Sequence, residues 1–188
     1  MIHDKIVGRP VKLNRKILIP RKDYAEVVFI GDVHYGSPQC NVQKFLDMVK
    51  YCVDKKVHVM LMGDLIEMAT RYSVGAGVYE QEFPGQSQVE WIIEKLKPLG
   101  NLILGSHNGN HEERVYQATG INVSKWIANQ LGCTYLGDAC WSEFVVGVHH
   151  YSVYSLHGRS GAKFDGTALL ALERLAAPFH CDVVAMGH

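Results

Sequence analysis

Short apolar runs alternate with helical stripes along most of the chain. The run at 27–30 is unbroken Val-Val-Phe-Ile, a pattern typical of a strand that is buried on both faces. Comparable runs predict four buried strands, at about 27–30, 57–62, 101–104 and 182–186. Apolar residues at helical spacing predict four helices, at about 41–55, 91–98, 123–131 and 167–176. Strands that alternate with helices predict a mostly parallel sheet in an α/β fold.

The stretch from residue 134 to residue 157 departs from this alternation. Strands predicted at 134–136, 142–148 and 151–156 follow one another without a helix between them. Their succession predicts antiparallel pairing and a second sheet. Gly137 and Asp138 separate the first two of these strands, and a Gly-Asp pair in that place predicts a hairpin turn.

Residues 1–24 form a basic and irregular extension ahead of a single predicted domain at 25–188. Two apolar stretches, at 11–13 and 17–19, predict an edge ribbon in this extension. Its lysines and arginines have two interpretations, a solvated sheet edge or a contact with nucleic acid. Both stay open on the sequence alone.

Composition narrows the class of protein. The chain has 188 residues, of which 47% are hydrophobic, and 19 Lys and Arg are balanced by 19 Asp and Glu. These values are typical of one folded domain and argue against strong attraction to nucleic acid over the whole surface. No apolar run approaches the roughly 20 residues that cross a bilayer, and the N-terminus has no apolar signal core. We therefore expect no membrane partner.

The five cysteines are odd in number, and no two form a Cys-x-x-Cys pair. A zinc finger or a disulfide framework is therefore not expected, and reduced thiols in the cytoplasm are the favoured interpretation.

Polar residues suited to metals or to catalysis follow the predicted strands. Carboxylate, imidazole and amide groups at neighbouring strand ends can converge on one point, and their mixture suits a pair of divalent metals. The segments that carry these groups, in chain order, are Asp32-Val33-His34, Gly63-Asp64, Gly109-Asn110-His111-Glu112, His157-Gly158 and Gly187-His188.

Each of these residues also has an ordinary structural interpretation. Asp32 after a glycine suits a turn, and Glu112 suits the first turn of a helix, where the dipole favours negative charge. A lone histidine is more often a hydrogen-bonded structural residue than a ligand, and we assign that role to His107, His149 and His150. Only the ordered set on strand ends favours a metal site for the others.

Taken together, the segments resemble the metallophosphoesterase (calcineurin-like phosphoesterase) superfamily, whose pattern reads D-x-H, G-D, G-N-H-[D/E], H and G-H-x-H. The layout is most similar to bacterial and phage-encoded members. The resemblance covers residues 32–188 and implies a four-layer αββα sandwich with two mixed β-sheets flanked by helices. The pattern ends here at Gly187 and His188, so the second histidine of G-H-x-H is missing. We expect the chain to be a fragment, truncated at its C-terminus.

The resemblance also implies roles for individual residues. Asp32 and His34 would bind a first metal ion, and Asp64 would bridge two ions. The implied ligands of the second ion are Asn110, His157 and His188. His111 would be a catalytic histidine that faces the phosphate. Glu67 would orient His111, or it would be a plain helix-start glutamate.

The implied reaction is hydrolysis of a phosphate ester by a hydroxide that bridges two divalent metal ions, with manganese favoured over iron or zinc. Ser/Thr protein phosphatases of the superfamily carry arginines where this chain has Asn108 and Met68. We therefore expect a phosphodiester substrate, DNA or a nucleotide. The alternatives are a phosphomonoesterase or protein phosphatase of the same superfamily and a non-catalytic metal-binding scaffold.

Two loops are candidates for substrate contact. Gly158–Gly161, with Arg159 and Lys163, would meet phosphate oxygens or be a plain turn. Arg71 and Tyr72, in a polar stretch at 70–86, would form a lid or be a surface loop.

Overall fold

The computed structural model describes residues 11–13, 24–70, 73, 80–158, 170, 173 and 181–188. The described strands are β1 (Val11–Leu13), β2 (Val27–Ile30), β3 (His58–Leu61), β4 (Ile103–His107), β5 (Tyr135–Gly137), β6 (Ala139–Val146), β7 (His149–Leu156) and β8 (Val183–Met186). The described helices are α1 (Val42–Lys55), α2 (Gly85–Leu96), α3 (Asn110–Thr119) and α4 (Val123–Gln130), with a 3₁₀ helix at Lys97–Leu102.

The strands form two sheets. The first has the order β2-β3-β4-β5 and is parallel throughout its described strands. The second has the order β1-β6-β7-β8, in which β6 and β7 are antiparallel and the other pairs are parallel. The predicted parallel sheet and the predicted antiparallel pairing in a second sheet are both confirmed, and of the two sheets only the second is mixed.

Alternating side chains of the first sheet face two different apolar layers. Val28 and Ile30 pack with the helices, and Val27 and Phe29 face the second sheet. In β3 and just beyond it, Leu61 faces the helices and Met62 faces the second sheet. This two-residue period explains why the strands appear in the sequence as unbroken apolar runs.

The helical layer covers the outer face of the first sheet with an apolar stripe from each helix. Ile92 and Leu96 of α2 and Ile127 of α4 are fully buried in it. Burial of one such side chain contributes about 1.5–3 kcal/mol. Asn41 caps α1 by accepting a hydrogen bond from the backbone amide of Lys44. The helices and the buried side chains hold the parallel sheet in place. Several of the candidate site residues follow the ends of its strands.

The hairpin predicted at Gly137 and Asp138 is wrong. β5 pairs in parallel with β4, and β6 belongs to the other sheet. Leu136 is buried between the two sheets, so the chain passes from one sheet to the other at this point. The strand predicted at 101–104 also begins later, at Ile103, because residues 101 and 102 end the 3₁₀ helix.

Several predicted features fall on residues that the structure does not describe. They are the ribbon stretch at 17–19, the lid residues Arg71 and Tyr72, the phosphate-loop residues Arg159 and Lys163, and all of the helix at 167–176 except residues 170 and 173. Among the described helices, none has the length and apolar character needed to span a membrane.

Candidate metal centre

The loops after β2 and β3 run side by side beyond the strand ends. The amide of His34 donates to the carbonyl of Asp64 (3.0 Å), and the amide of Tyr35 donates to Leu65 (3.1 Å). Asp32, His34 and Asp64 all have left-handed φ angles, of 54°, 48° and 50°. Such backbone costs free energy in residues other than glycine and is concentrated at functional sites. The two loops thus hold three candidate ligands in a fixed, strained arrangement.

Two glycines let the start of α3 approach the end of β3. A Cβ atom on Gly63 would lie 2.7 Å from the Cα atom of Gly109. A Cβ atom on Gly109 would lie 2.1 Å from the backbone nitrogen of Asp64. Side chains at these positions would therefore push α3, with Asn110 and His111, away from Asp64.

Glu112 fixes this approach with its side chain. Its carboxylate accepts hydrogen bonds from the backbone amides of Asp64 (3.1 Å) and Leu65 (2.9 Å). Burial and the nearby charge of Asp64 raise the pKa of Glu112 to about 7, while the two amide donors favour the charged carboxylate. Glu112 does lie in the first turn of α3 as predicted, but sequence reasoning missed this contact. One signal for this contact was present in the sequence. Glu113 is also in the first turn, and one acidic residue is enough to interact favourably with the helix dipole, so the second was available for another role.

The carboxylate of Asp64 lies at the centre of the site and is fully buried. Its Oδ1 atom accepts from the backbone amide of His111 (2.8 Å). Its Oδ2 atom lies 3.2 Å from Nε2 of His157 and 3.7 Å from Nε2 of His34. Burial by itself would raise the pKa of Asp64, but the hydrogen bond and charge of a protonated His157, with the backbone amide of His111, outweigh burial and hold that pKa at about 2.

Two groups of ligand atoms share Asp64. We call His34, Asp64 and His111 the one-sheet cluster, because all three follow strands of the first sheet. We call Asp32, Asp64, His157 and His188 the two-sheet cluster, because its histidines follow β7 and β8 of the second sheet. Within each cluster the ligand atoms lie within 4.8 Å of one another.

With His157 neutral, the donors of the two-sheet cluster present lone pairs to one another. Nδ1 of His157 lies 2.8 Å from the carbonyl oxygen of Met62, which can only accept, so Nδ1 keeps its proton and the neutral imidazole has its lone pair on Nε2. That Nε2 faces Oδ2 of Asp64, and one end of the Asn110 amide lies 2.8 Å from it. The same amide end lies 3.0 Å from Nδ1 of His188. A cation among these atoms satisfies all of them at once, so the donor set fits a divalent metal.

Part of the site borders a cavity of about 780 Å³. Asp32, His34, Glu67 and His111 lie in its wall, together with Lys44 of α1. The site therefore has room for a substrate on its solvent side.

A family model for calcineurin-like phosphoesterases matches residues 25–188. The chain belongs to the calcineurin-like phosphoesterase family. Members of this family are metal-dependent phosphoester hydrolases, so the resemblance, the fold class and the enzyme class expected from the sequence are confirmed. A comparison with curated proteins finds no match.

The structure brings all the predicted site residues of this calcineurin-like phosphoesterase to one end of the fold. They are Asp32, His34, Asp64, Glu67, Asn110, His111, His157 and His188. The clusters divide them differently from the resemblance, which pairs Asp32 with His34. In the structure Oδ1 of Asp32 is 4.0 Å from Nε2 of His34, and Oδ2 of Asp32 accepts from the amide of His188 (2.9 Å). The assignment of each ligand to one ion stays a prediction.

Glu67 contacts His111 mainly through its backbone. Nδ1 of His111 donates to the carbonyl oxygen of Glu67 (2.7 Å), whereas the Glu67 carboxylate is 3.6 Å from that nitrogen. The same carboxylate is 3.2 Å from Nδ1 of His34. The expected orienting role of Glu67 therefore has a main-chain contact to support it, and the role of its carboxylate stays a prediction.

Proposed function

We propose that this site hydrolyses phosphodiesters of nucleic acid or nucleotides with two divalent ions, of which manganese is favoured. One observation carries the proposal, namely that the buried carboxylate of Asp64 belongs to both clusters of ligand atoms. A shared carboxylate is an arrangement that suits a pair of ions. The proposed ligands are Asp32, His34, Asp64, Asn110, His157 and His188.

The donor set supports borderline metals. Carboxylate and amide oxygens mixed with imidazole nitrogens suit manganese, iron or zinc better than calcium or copper. When bound, such a pair supplies hydroxide near neutral pH and charge stabilisation for both oxygens of an in-line displacement. With two carboxylates, Asp32 and Asp64, against two divalent ions, the site keeps net positive charge and favours an anionic ester.

His111 is the proposed catalytic histidine. Its Nδ1 proton is engaged by the carbonyl of Glu67, so the imidazole plane is fixed and Nε2 is directed toward Asp64, 4.0 Å from Oδ2. From there Nε2, when protonated, would donate to the leaving oxygen or a phosphoryl oxygen. Such a contact in the transition state contributes about 10²–10⁴ in rate.

The preference for a diester is based on two positions, Asn108 and Met68, where Ser/Thr protein phosphatases have arginine. Asn108 is buried, and its amide bonds to Glu113, Asp138 and Ser124, so this position brings no cation to the site. A dianionic monoester gains more from additional cations than a monoanionic diester does. We therefore favour the diester.

A substrate panel tests the proposed class. With manganese bound, we expect faster hydrolysis of bis-p-nitrophenyl phosphate than of p-nitrophenyl phosphate, and cleavage of labelled single-stranded DNA or a nucleotide diester. Preference for the monoester would overturn the diester assignment and favour the phosphatase alternative.

The variant His111→Ala separates an enzyme from a metal-binding scaffold. We expect unchanged manganese content by elemental analysis and a fall in kcat of about 10²–10⁴, because only a transition-state contact is lost. Full activity in the variant would remove His111 from the mechanism. Full metal content without turnover in the unmodified protein would favour the scaffold.

A further inference from the structure

Arg114 brings a guanidinium to the edge of the metal centre. It follows Asn110 by four residues and His111 by three on α3, so the three side chains share one face of the helix. Nη1 of Arg114 is 3.3 Å from Nε2 of His111, and Nη2 is 3.0 Å from the Asn110 amide. The arginine is half-buried, so part of its side chain stays accessible to solvent.

This guanidinium has no acidic counter-charge. Within the part of the chain that the structure describes, no ion pair involves Arg114. Its recorded contacts are to groups without negative charge, Nε2 of His111 and the amide of Asn110. A guanidinium without an acidic partner binds an anion more strongly than a guanidinium in an ion pair does.

The orientation of the Asn110 amide determines whether Nη2 of Arg114 has a hydrogen-bond acceptor. With its oxygen toward Arg114, the amide accepts from Nη2, and its nitrogen has Asp64, His157 and His188 within hydrogen-bond distance. Service as a metal ligand needs the opposite orientation, with the oxygen toward the cluster. The amide nitrogen then faces Nη2, and two donors cannot bond. Coordination of a metal by the Asn110 oxygen would therefore release Nη2 of the guanidinium.

We propose that Arg114 binds a phosphoryl oxygen of the ester substrate once the metal ions are bound. The released Nη2 and the neighbouring Nη1 form a planar fork that matches two phosphate oxygens. The fork lies beside Nε2 of His111, where the proposed function places the phosphate. This inference rests on the proposed function and adds a substrate-binding residue that the sequence reasoning did not single out.

The test measures phosphate binding apart from turnover. The affinity of the manganese-loaded protein for inorganic phosphate is measured by calorimetry for the unmodified chain, Arg114→Ala, Arg114→Lys and Lys125→Ala. Lys125 is exposed on α4 and controls for loss of one positive charge. We expect phosphate to bind about 10–100-fold more weakly to Arg114→Ala, since a charged hydrogen bond is lost. Arg114→Lys keeps the charge without the planar fork, so its phosphate affinity should lie between those of the unmodified chain and Arg114→Ala. Lys125→Ala should change phosphate affinity less than about twofold.

Metal content and chemical rescue complete the design. Arg114→Ala should keep its manganese, and free guanidinium should restore part of its diesterase activity. Unchanged phosphate affinity in Arg114→Ala, loss of its manganese, or absence of phosphate binding by the unmodified protein would each overturn the inference. If phosphate affinity falls as expected while no ester is hydrolysed by the unmodified protein, the proposed function fails and Arg114 stands as an anion-binding residue.

Discussion

The two clusters that share Asp64 are held together in different ways. In the one-sheet cluster, the ligands are fixed by hydrogen bonds between adjacent loops, such as the bond from His34 to the carbonyl of Asp64. In the two-sheet cluster, His157 and His188 come from another sheet and reach Asp64 across the interface. Local backbone geometry therefore supports the first cluster, and packing of the two sheets supports the second.

Two buried histidines form polar links across that interface near the site, in addition to the bond from the amide of His188 to Asp32. Nδ1 of His157 donates to the carbonyl of Met62, at the end of β3. His107, at the end of β4, bonds to the carbonyl of Gly137 (3.1 Å) and to the hydroxyl of Ser155 on β7 (2.8 Å). Ser155 precedes His157 by two residues, so His107 helps to fix the strand end that carries this ligand.

Removal of the shared charge should disable both clusters, and it gives the largest expected effect. In Asp64→Asn the side-chain oxygen still accepts from the amide of His111, so the fold should persist. Both clusters lose their common anion, and we expect loss of bound manganese and a fall in kcat/KM of at least about 10³. Elemental analysis and diesterase kinetics measure these effects.

The control for this change is Asp138→Asn, because Asp138 also follows a glycine but is exposed and contacts only Asn108 among the recorded bonds. It should keep its metal and its activity. Retention of one ion at full occupancy in Asp64→Asn would contradict a shared carboxylate.

Acid should loosen the interface between the sheets through His107. Burial lowers the pKa of His107 to about 4, from an ordinary value of 6.5. The unfolded chain therefore takes up this proton first, so stability is lost as pH falls from about 6.5 toward 4. For this group alone, the loss between pH 7.5 and pH 5 is about 2 kcal/mol.

Urea unfolding of the metal-free protein at both pH values measures this loss. His107→Gln should show a smaller decrease, by about 2 kcal/mol, than the unmodified chain. His149→Gln changes an exposed histidine of β7 and should keep the original pH dependence. The same decrease in His107→Gln as in the unmodified chain would show that His107 does not couple proton uptake to the interface.

The one-sheet cluster should depend on Glu112 instead. In Glu112→Gln one carboxylate oxygen becomes an NH₂ group that faces a backbone amide of Asp64 or Leu65. We expect a loss of about 2 kcal/mol in the free energy of unfolding, since a charged acceptor in a buried site is removed. Glu113→Gln alters the adjacent acid and should cost less than about 1 kcal/mol. Equal losses in the two variants would mean that Glu112 acts only on the helix dipole.

Sequence patterns predicted the strands and helices whose apolar residues recur at a regular local spacing. The strand at 27–30 and the helix at 41–55 correspond to β2 and α1 because their apolar periods reflect the layers that they contact. The family match confirms the resemblance that was drawn from the ordered strand-end residues. These features depend on near neighbours in the chain, so one sequence suffices to find them.

Long-range contacts were not predictable in the same way. The crossing at Gly137 and Asp138 depends on whether β5 pairs with β4 or with β6, and both partners are apolar strands. The contact from Glu112 to Asp64 joins residues 48 positions apart, and Arg114 lies two residues beyond the recognised segment. Residue type and spacing do not determine such pairings, whereas side-chain geometry does.

The carboxylate of Glu67 should matter least, and its removal sharpens the description of the one-sheet cluster. His111 is held by the main-chain carbonyl of Glu67, which Glu67→Gln leaves in place. The carboxylate is partly exposed and 3.2 Å from Nδ1 of His34, a contact of the kind that contributes about 0–1 kcal/mol. We expect kcat/KM to fall less than about fivefold, with Glu80→Gln, in the same cavity wall, as the control. A loss as large as that of His111→Ala would instead assign the orientation of His111 to the carboxylate, and a fall in manganese content would make Glu67 a support for His34.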